Sequence, residues 1–315
     1  MQRDRSGCPR TTADIGRSRG PRRLALWRHR PDPAPVPAPT IDAHVHFWRI
    51  ARYDSSWMKG AFAPLKRDVF PEQLAPQLRA AGIERAVYVQ AQHDTADNDW
   101  VLALTEAHPW IAGVVAWVDL TAIDVEQRVL ALKRHTRFCG VRHITHDEPD
   151  DDWILRDDVA RGLRVLERHG VPFDLLFFVR HLHHAATIAH RFPALTLVLD
   201  HLAKPRIKAH GIDDWLPAFR AAAQCPNVVC KLSGMVTEAD WRSWTSDELR
   251  VYVDHALDAF GPRRLMYGSD WPVCELAADY ARVASTTREL IARLSPAERE
   301  SILGGTAKRC YRLAD

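Results

Sequence analysis

Thr40-Ile41-Asp42-Ala43-His44-Val45-His46-Phe47-Trp48 is an apolar run that carries two histidines two residues apart. Side chains along a β-strand alternate with a period of two, so His44 and His46 leave the same face. Two imidazoles on one strand face have metal-ligand geometry.

From Ile41 onward, short apolar runs alternate with amphipathic helical segments. The runs predict strands at Ile41–Phe47, Arg85–Gln90, Ile111–Val118, Gly140–Ile144, Pro172–Phe178, Leu195–Asp200, Val228–Leu232 and Leu265–Ser269. Helical patterns lie between them at Pro71–Ala81, Asp97–Ala107, Val125–His135, Asp157–His169, His183–Arg191, Asp214–Gln224 and Ser246–Phe260. Gly82, Gly170 and Gly261 each follow a helical pattern and precede a strand, as helix-ending glycines do. Strand followed by helix, repeated eight times with apolar strands, predicts parallel strands buried on both faces. That is an α/β fold, a closed (β/α)8 TIM barrel. An open doubly wound sheet is the alternative, but it calls for a glycine-rich loop after its first strand, where this chain has His-Val-His-Phe-Trp. Beyond the eighth strand, Pro272–Leu294 and Pro296–Leu303 read as helices, and Thr306 reads as the N-cap of a last one.

Upstream, residues 1–40 hold nine arginines against three aspartates, a local charge of +6. The remainder of the chain, whose total is +3, is therefore mildly acidic and predicts no nucleic-acid surface. Residues 1–39 end in the run Pro31-Asp32-Pro33-Ala34-Pro35-Val36-Pro37-Ala38-Pro39, which disfavours helix and sheet alike. With so little apolar content, this Arg/Pro-rich extension is predicted to be disordered. A targeting peptide, a polyanion-binding arm and a dispensable extension are its three readings. Residues 40–315 form the barrel in this expectation.

At 315 residues and 46% hydrophobic, the chain suits one large domain. No apolar run approaches the roughly 18 to 20 residues that cross a bilayer, so no membrane partner is expected. The six cysteines have no C-x-x-C or paired spacing. They read as buried or free thiols in a reducing, cytoplasmic setting. The expected partner is a small-molecule substrate, and self-association is left open.

Active sites of parallel barrels lie at the C-terminal strand ends. The polar residues there are His44, His46, Gln90, Asp119, Arg142, His143, Asp200, His201, Lys231, Ser233 and Asp270. Barrel closure makes the last strand a neighbour of the first, so Asp270 can join His44 and His46. Two histidines and a carboxylate with open positions are a catalytic rather than a structural metal set. His201, across the mouth, is a further ligand or a proton-transfer and electrophilic group. Taken singly these signals are weak, because 16 histidines scatter along the chain and an Asp before Pro commonly caps a turn. Their coincidence at strand ends is what makes a site.

Together with the first stretch, Val198-Leu199-Asp200-His201-Leu202-Ala203-Lys204-Pro205, Cys230-Lys231-Leu232-Ser233-Gly234 and Met266-Tyr267-Gly268-Ser269-Asp270-Trp271-Pro272 resemble the amidohydrolase superfamily. Within it they resemble the branch that contains L-fuconolactonase, L-rhamnonolactonase and 2-pyrone-4,6-dicarboxylate lactonase. The resemblance implies a hydrolase acting on the ester bond of a small sugar-acid or dicarboxylate lactone. Many members of the superfamily place a metal-bridging Lys on strand 4 and a His ligand on strand 5. Here strand 4 reads Gly140-Val141-Arg142-His143 and strand 5 reads Phe173-Asp174-Leu175, so the resemblance implies one divalent metal, zinc, or none.

Lactone hydrolysis needs a polarised carbonyl, a deprotonated water and a proton for the leaving oxygen. The expected roles are His44, His46 and Asp270 as metal ligands, Asp270 also as general base, and His201 as electrophile or proton-transfer group. Arg142, His143, Gln90, Trp48 and Lys204 are the candidate substrate contacts, with salt bridging or packing as their alternative. The competing activity on the same scaffold is decarboxylation of an aromatic or enolic acid with a mononuclear zinc. Relatives with that activity generally carry the strand-5 His that is missing here. A non-catalytic binding protein would be expected to have lost one of His44, His46, His201 and Asp270, and all four are present.

Overall fold

The computed structural model describes residues 38–314, so the expected disordered extension lies outside the described residues except for its last two. Eight parallel strands pair in sequence order, β1 (Ile41–Val45), β2 (Arg85–Val89), β3 (Ile111–Ala116), β4 (Phe138–His143), β5 (Phe173–Leu175), β6 (Leu197–Leu199), β7 (Val228–Leu232) and β8 (Leu265–Tyr267). The ring is completed just beyond β8. Asp270 N–H donates to His44 O at 2.9 Å, and His46 N–H donates to Trp271 O at 2.8 Å. The expected barrel is therefore the observed one.

Helices between the strands cover the outside: α1 (Pro71–Ala80), α2 (Thr95–Ala107), α3 (Val125–Leu132), α4 (Asp157–His169), α5 (His183–Arg191) and α6 (Leu216–Ala223). A short α7 (Met235–Glu238) precedes α8 (Ser246–Phe260), and α9 (Tyr280–Leu290) follows β8. The start of α8 is written in its sequence, because Thr245 and Glu248 cap each other's backbone N–H groups.

Apolar side chains form two bodies, as a barrel requires. A large outer layer packs strands against helices. A smaller inner cluster, including Ile41, Val87, Val115, Val198 and Met266, fills the barrel. Ala307, Tyr311 and Leu313 belong to that inner cluster, so the C-terminal segment closes the barrel from the end opposite the site.

Three local expectations are corrected. Strands β5, β6 and β8 have three residues each, shorter than the apolar runs suggested, because the chain turns into the site directly after them. The stretch Pro272–Leu294 is not one helix. A 3-10 turn at Val273–Leu276 is separated from α9 by Asp279, whose carboxylate accepts the Arg282 N–H at 2.7 Å and so starts a new helix. Thr306 is not an N-cap. The chain enters its last helix through a π-turn at Ser301–Gly305, and the Thr306 hydroxyl donates to Arg263 O at 3.1 Å instead.

Candidate active site

The site is built at the end of β1, where the pairing with β2 shifts register between Asp42 and Val45. That irregularity leaves Asp42 facing the β8 side. One Asp42 oxygen accepts the N–H groups of Ser269 at 2.9 Å and His44 at 3.1 Å, and the other accepts the Tyr280 hydroxyl at 2.9 Å. Burial pushes Asp42 up to about 6, against the downward pull of these hydrogen bonds. The carboxylate thus ties the backbone beside His44 to the backbone beside Asp270.

His44 and His46 converge as the strand period requires, with their Nε2 atoms 3.2 Å apart. His46 Nδ1 lies 2.8 Å from Val89 O; as an N–H donor there, it leaves Nε2 free of a proton and turned to Asp270 Oδ1 at 3.3 Å. Burial and the nearby Lys231 ammonium hold His44 well below the ordinary histidine range, although Asp200 opposes them. Asp270 is itself buried, which raises its pKa, but the surrounding histidines, His201 first and then His46 and His44, outweigh this and hold the carboxyl below its usual range.

His201 comes from an uncommon backbone. Residues His201, Leu202, Ala203 and Lys204 have φ of 53, 52, 58 and 53°, a left-handed turn that side-chain crowding makes costly by roughly 1–2 kcal/mol per residue. Surrounding contacts hold it. Trp215 Nε1 donates to Leu202 O at 2.7 Å, and Lys204 N–H donates to His201 O at 2.8 Å. The turn carries the His201 ring over β7, where Nδ1 meets Ser233 Oγ at 2.8 Å and Nε2 lies 3.9 Å from Asp270 Oδ1. A Cβ at Gly234 would stand 2.7 Å from His201 Nδ1, and one at Gly268 would stand 2.8 Å from His44 Cβ. These two glycines exist to let the histidines in. Burial lowers His201 to about 4, so the ring is neutral at pH 7 and able to donate a hydrogen bond.

Beneath the histidines lies a layer of buried charge. Lys231 Nζ sits 2.6 Å from Asp174 Oδ2 and 2.9 Å from Asp200 Oδ1, with all three side chains fully buried. Arg142 Nη1 lies 3.0 Å from Asp200 Oδ2 and 3.3 Å from His44 Nε2. Asp174 also accepts the Tyr311 hydroxyl from the far end of the barrel.

Above the histidines opens a cavity of about 840 Å³, walled by His46, Arg142, His146, His201, Lys204 and Asp270 among others. Such a volume holds a small sugar lactone with room to spare. The expected substrate contacts divide. Arg142, Lys204 and Trp48 border the cavity. Lys204 is paired with Glu238 at 3.0 Å, and the Trp48 indole N–H is occupied by Arg67 O at 2.8 Å, so Trp48 offers only its ring. His143 and Gln90 are not among the lining residues. His143 is sandwiched between His93 and Trp153, with ring centroids 4.0 and 3.9 Å away, and bonds Glu148 at 2.6 Å. Gln90 donates to Arg142 O at 3.2 Å and accepts Arg142 Nη2 on its backbone oxygen, so it braces the arginine from behind.

Sequence reasoning missed His93 and His146, both of which border the cavity. His146 stacks on Phe178 at 4.4 Å, and its Nδ1 is buried without a partner. They sit in loops that strand-end bookkeeping does not reach. Asp174, the partner of Lys231, was missed as well, and the signal for it was a lone carboxylate in an apolar strand, which must be paired.

The donors suit a divalent ion. Zinc bonds of about 2.0–2.1 Å place tetrahedral ligand atoms roughly 3.3 Å apart, close to the His44–His46 and His46–Asp270 separations of 3.2 and 3.3 Å. His44, His201 and Asp270 also offer ligand atoms within 4.8 Å of one another. Arg142 shares the His44 nitrogen, so an ion there competes with the guanidinium.

The Amidohydrolase family model matches residues 41–313. An L-fucono-1,5-lactonase from Burkholderia multivorans is 43% identical over 286 residues, covering 87% of this chain and 96% of that protein. A second L-fucono-1,5-lactonase, from Burkholderia ambifaria, is 37% identical, covering 87% of this chain and 95% of its own length. Among solved structures, an amidohydrolase from Burkholderia multivorans with bound zinc superposes with a TM-score of 0.83 at 41% identity, covering 88% of this chain and all of that one. With the barrel, the paired histidines of β1 and the aspartate after β8 in place, the chain belongs to the amidohydrolase family.

Proposed function

We propose that this protein hydrolyses the ester bond of a small sugar-acid lactone, of the kind represented by L-fucono-1,5-lactone, to the hydroxy acid. The observation that carries the reading is the meeting of Asp270, His46 and His201 on one wall of the cavity, 3.3 and 3.9 Å from carboxylate to ring nitrogens. The names of two relatives at 43% and 37% identity support the substrate class.

In this mechanism Asp270, ionised across the neutral range, takes the proton of the attacking water and returns it to the ring oxygen as the acyl bond breaks. His201, neutral and oriented by Ser233, donates to the carbonyl oxygen as negative charge develops there. Arg142 adds fixed positive charge to the cavity floor, and Gln90 holds it in place. His44, His46 and Asp270 would hold one divalent ion, zinc in this reading. Such an ion would supply a Lewis acid for the carbonyl and lower the pKa of water. The zinc-bound relative supports that assignment. Decarboxylation is the weaker reading, because β5 offers Asp174, neutralised by Lys231, where a decarboxylase would carry a histidine. The reaction belongs to carbohydrate metabolism in this reading. A cytoplasmic location is supported by the five free cysteines of the described residues. Among those residues, no helix is long and apolar enough to cross a membrane.

A panel of aldono-1,4- and 1,5-lactones assayed with a pH indicator tests the proposal. Acid release from at least one L-configured lactone is expected. No hydrolysis across the panel, with carbon dioxide released from an aromatic acid instead, overturns it.

A further inference from the structure

Away from the catalytic cluster, the loop between β4 and α4 meets the first turn of α5. Asp152 from the loop and His183 and His184 from α5 bring one carboxylate and two imidazoles together, their ligand atoms all within 4.8 Å of one another. We propose that these three residues form a second divalent-metal site, which takes zinc or a similar ion of intermediate softness.

Two observations point to a cation. His184 is only 2% exposed, yet its Nε2 has no hydrogen-bond partner, although Asp152 Oδ1 stands 3.1 Å away. A buried imidazole nitrogen that stands against a carboxylate without a well-formed hydrogen bond is short of a partner that a shared metal ion would supply. Three nearby carboxylates are already neutralised by an arginine: Asp151 by Arg180, Asp157 by Arg191 and Asp158 by Arg156. Asp152 has no Lys or Arg partner among the described residues and faces His184 alone. His183 stands beside it, with its ring centroid 3.8 Å from that of His184. The positive end of α5 opposes a cation here, so the carboxylate of Asp152 is the indispensable ligand. Imidazole and carboxylate together select zinc, copper or nickel over calcium or magnesium.

The position gives the site a task. The loop that supplies Asp152 also supplies Ile144, His146, Asp147 and Glu148 to the cavity wall. An ion bridging Asp152 to α5 fastens that wall to the next βα unit without touching the reacting groups.

The test is zinc content per chain, measured by elemental mass spectrometry on the full-length protein after equilibration with zinc chloride and removal of free ion. Wild type is compared with Asp152→Asn and His183→Ala, both changes at exposed positions, with circular dichroism as the check on folding. Each variant is expected to hold one zinc fewer than wild type, and to keep its rate on the best lactone within twofold. Zinc should also raise the melting temperature of wild type more than that of either variant. Equal zinc content in all three proteins overturns the site and leaves an ordinary imidazole–carboxylate contact. Loss in only one variant overturns the three-ligand arrangement. The difference between proteins is the readout, so the result does not depend on what the catalytic cluster binds.

Discussion

Replacing Lys231 by Met would remove the positive centre of the buried charge layer while nearly preserving its volume. The ammonium lies 2.6 Å from Asp174 and 2.9 Å from Asp200, in a place where no solvent reaches. Asp200 would keep Arg142 at 3.0 Å, whereas Asp174 would keep only the Tyr311 hydroxyl. Breaking a buried pair from one side costs about 3–5 kcal/mol, because the remaining charge is left uncompensated. Burial already pushes Asp174 up to about 6 with Lys231 present, so the variant relieves itself by taking up a proton there. That relief places the loss near the lower bound, roughly 3 kcal/mol. At about 2–4 °C per kcal/mol, the melting temperature should fall by roughly 6–12 °C. Urea unfolding monitored by far-ultraviolet circular dichroism measures the midpoint, and an unchanged slope confirms that the same surface is exposed. Adding Asp174→Asn removes the stranded charge, and the double variant should regain at least about 1 kcal/mol over Lys231→Met. A single variant within about 0.5 kcal/mol of the parent, or a double variant no more stable than the single one, refutes the reasoning.

Asp270→Asn should lower kcat by about 100-fold or more with its fold intact, since general-base assistance is worth that much, and steady-state kinetics on the best lactone will read it. His93 accepts the Ile144 N–H on its Nε2 at 3.0 Å, and burial holds its pKa down at about 3. Between that value and the unfolded value near 6.5 the unfolded chain binds more protons, so stability present above pH 6.5 is lost as the pH falls towards 3. Nuclear magnetic resonance titration of the ring should find His93 neutral at pH 5, and a midpoint near 6.5 contradicts the structure. Gly268→Ala would put a Cβ 2.8 Å from His44 Cβ and 3.1 Å from Ser233 Cβ. A loss of about 1–3 kcal/mol with a fall in kcat is expected, and a fully active, equally stable variant argues against that close approach. Deleting residues 1–37 should leave melting temperature and lactone turnover unchanged, whereas an insoluble product would reject the reading of that segment as a disordered extension.

The barrel was legible because its signals repeat. Each strand is mostly apolar, each helix has a face, and helix ends are marked by glycine or by capping pairs such as Thr245 with Glu248. The meeting of His44, His46, His201 and Asp270 was legible for a similar reason, since strand ends in a barrel are forced neighbours. What did not follow was the layer behind them. That Gln90 braces Arg142, and that His143 is stacked out of the cavity, depends on side-chain direction within one turn of chain, which no periodicity encodes. His146 and the Asp152–His183–His184 cluster arise from loops whose paths are set by tertiary contact. The break before α9 was readable in hindsight, as Asp279 is a strong capping residue inside what had looked like a continuous pattern.

The hydroxyl of Tyr311 reaches through the barrel to Asp174, and Leu313 and Ala307 fill the inner cluster beside it. Synthesis runs from the other end, so a nascent chain that has passed Tyr267 but not yet reached Ala307 has all eight strands and no plug. Until the last turn emerges, the Asp174 carboxylate has only Lys231, and the lower barrel is open to water. A translating ribosome therefore carries an almost finished barrel whose interior is still wet, which is the interval when chaperone binding or aggregation competes with folding. A bulky fusion placed directly after Leu313 would lengthen that interval, while the same fusion before residue 38 would not.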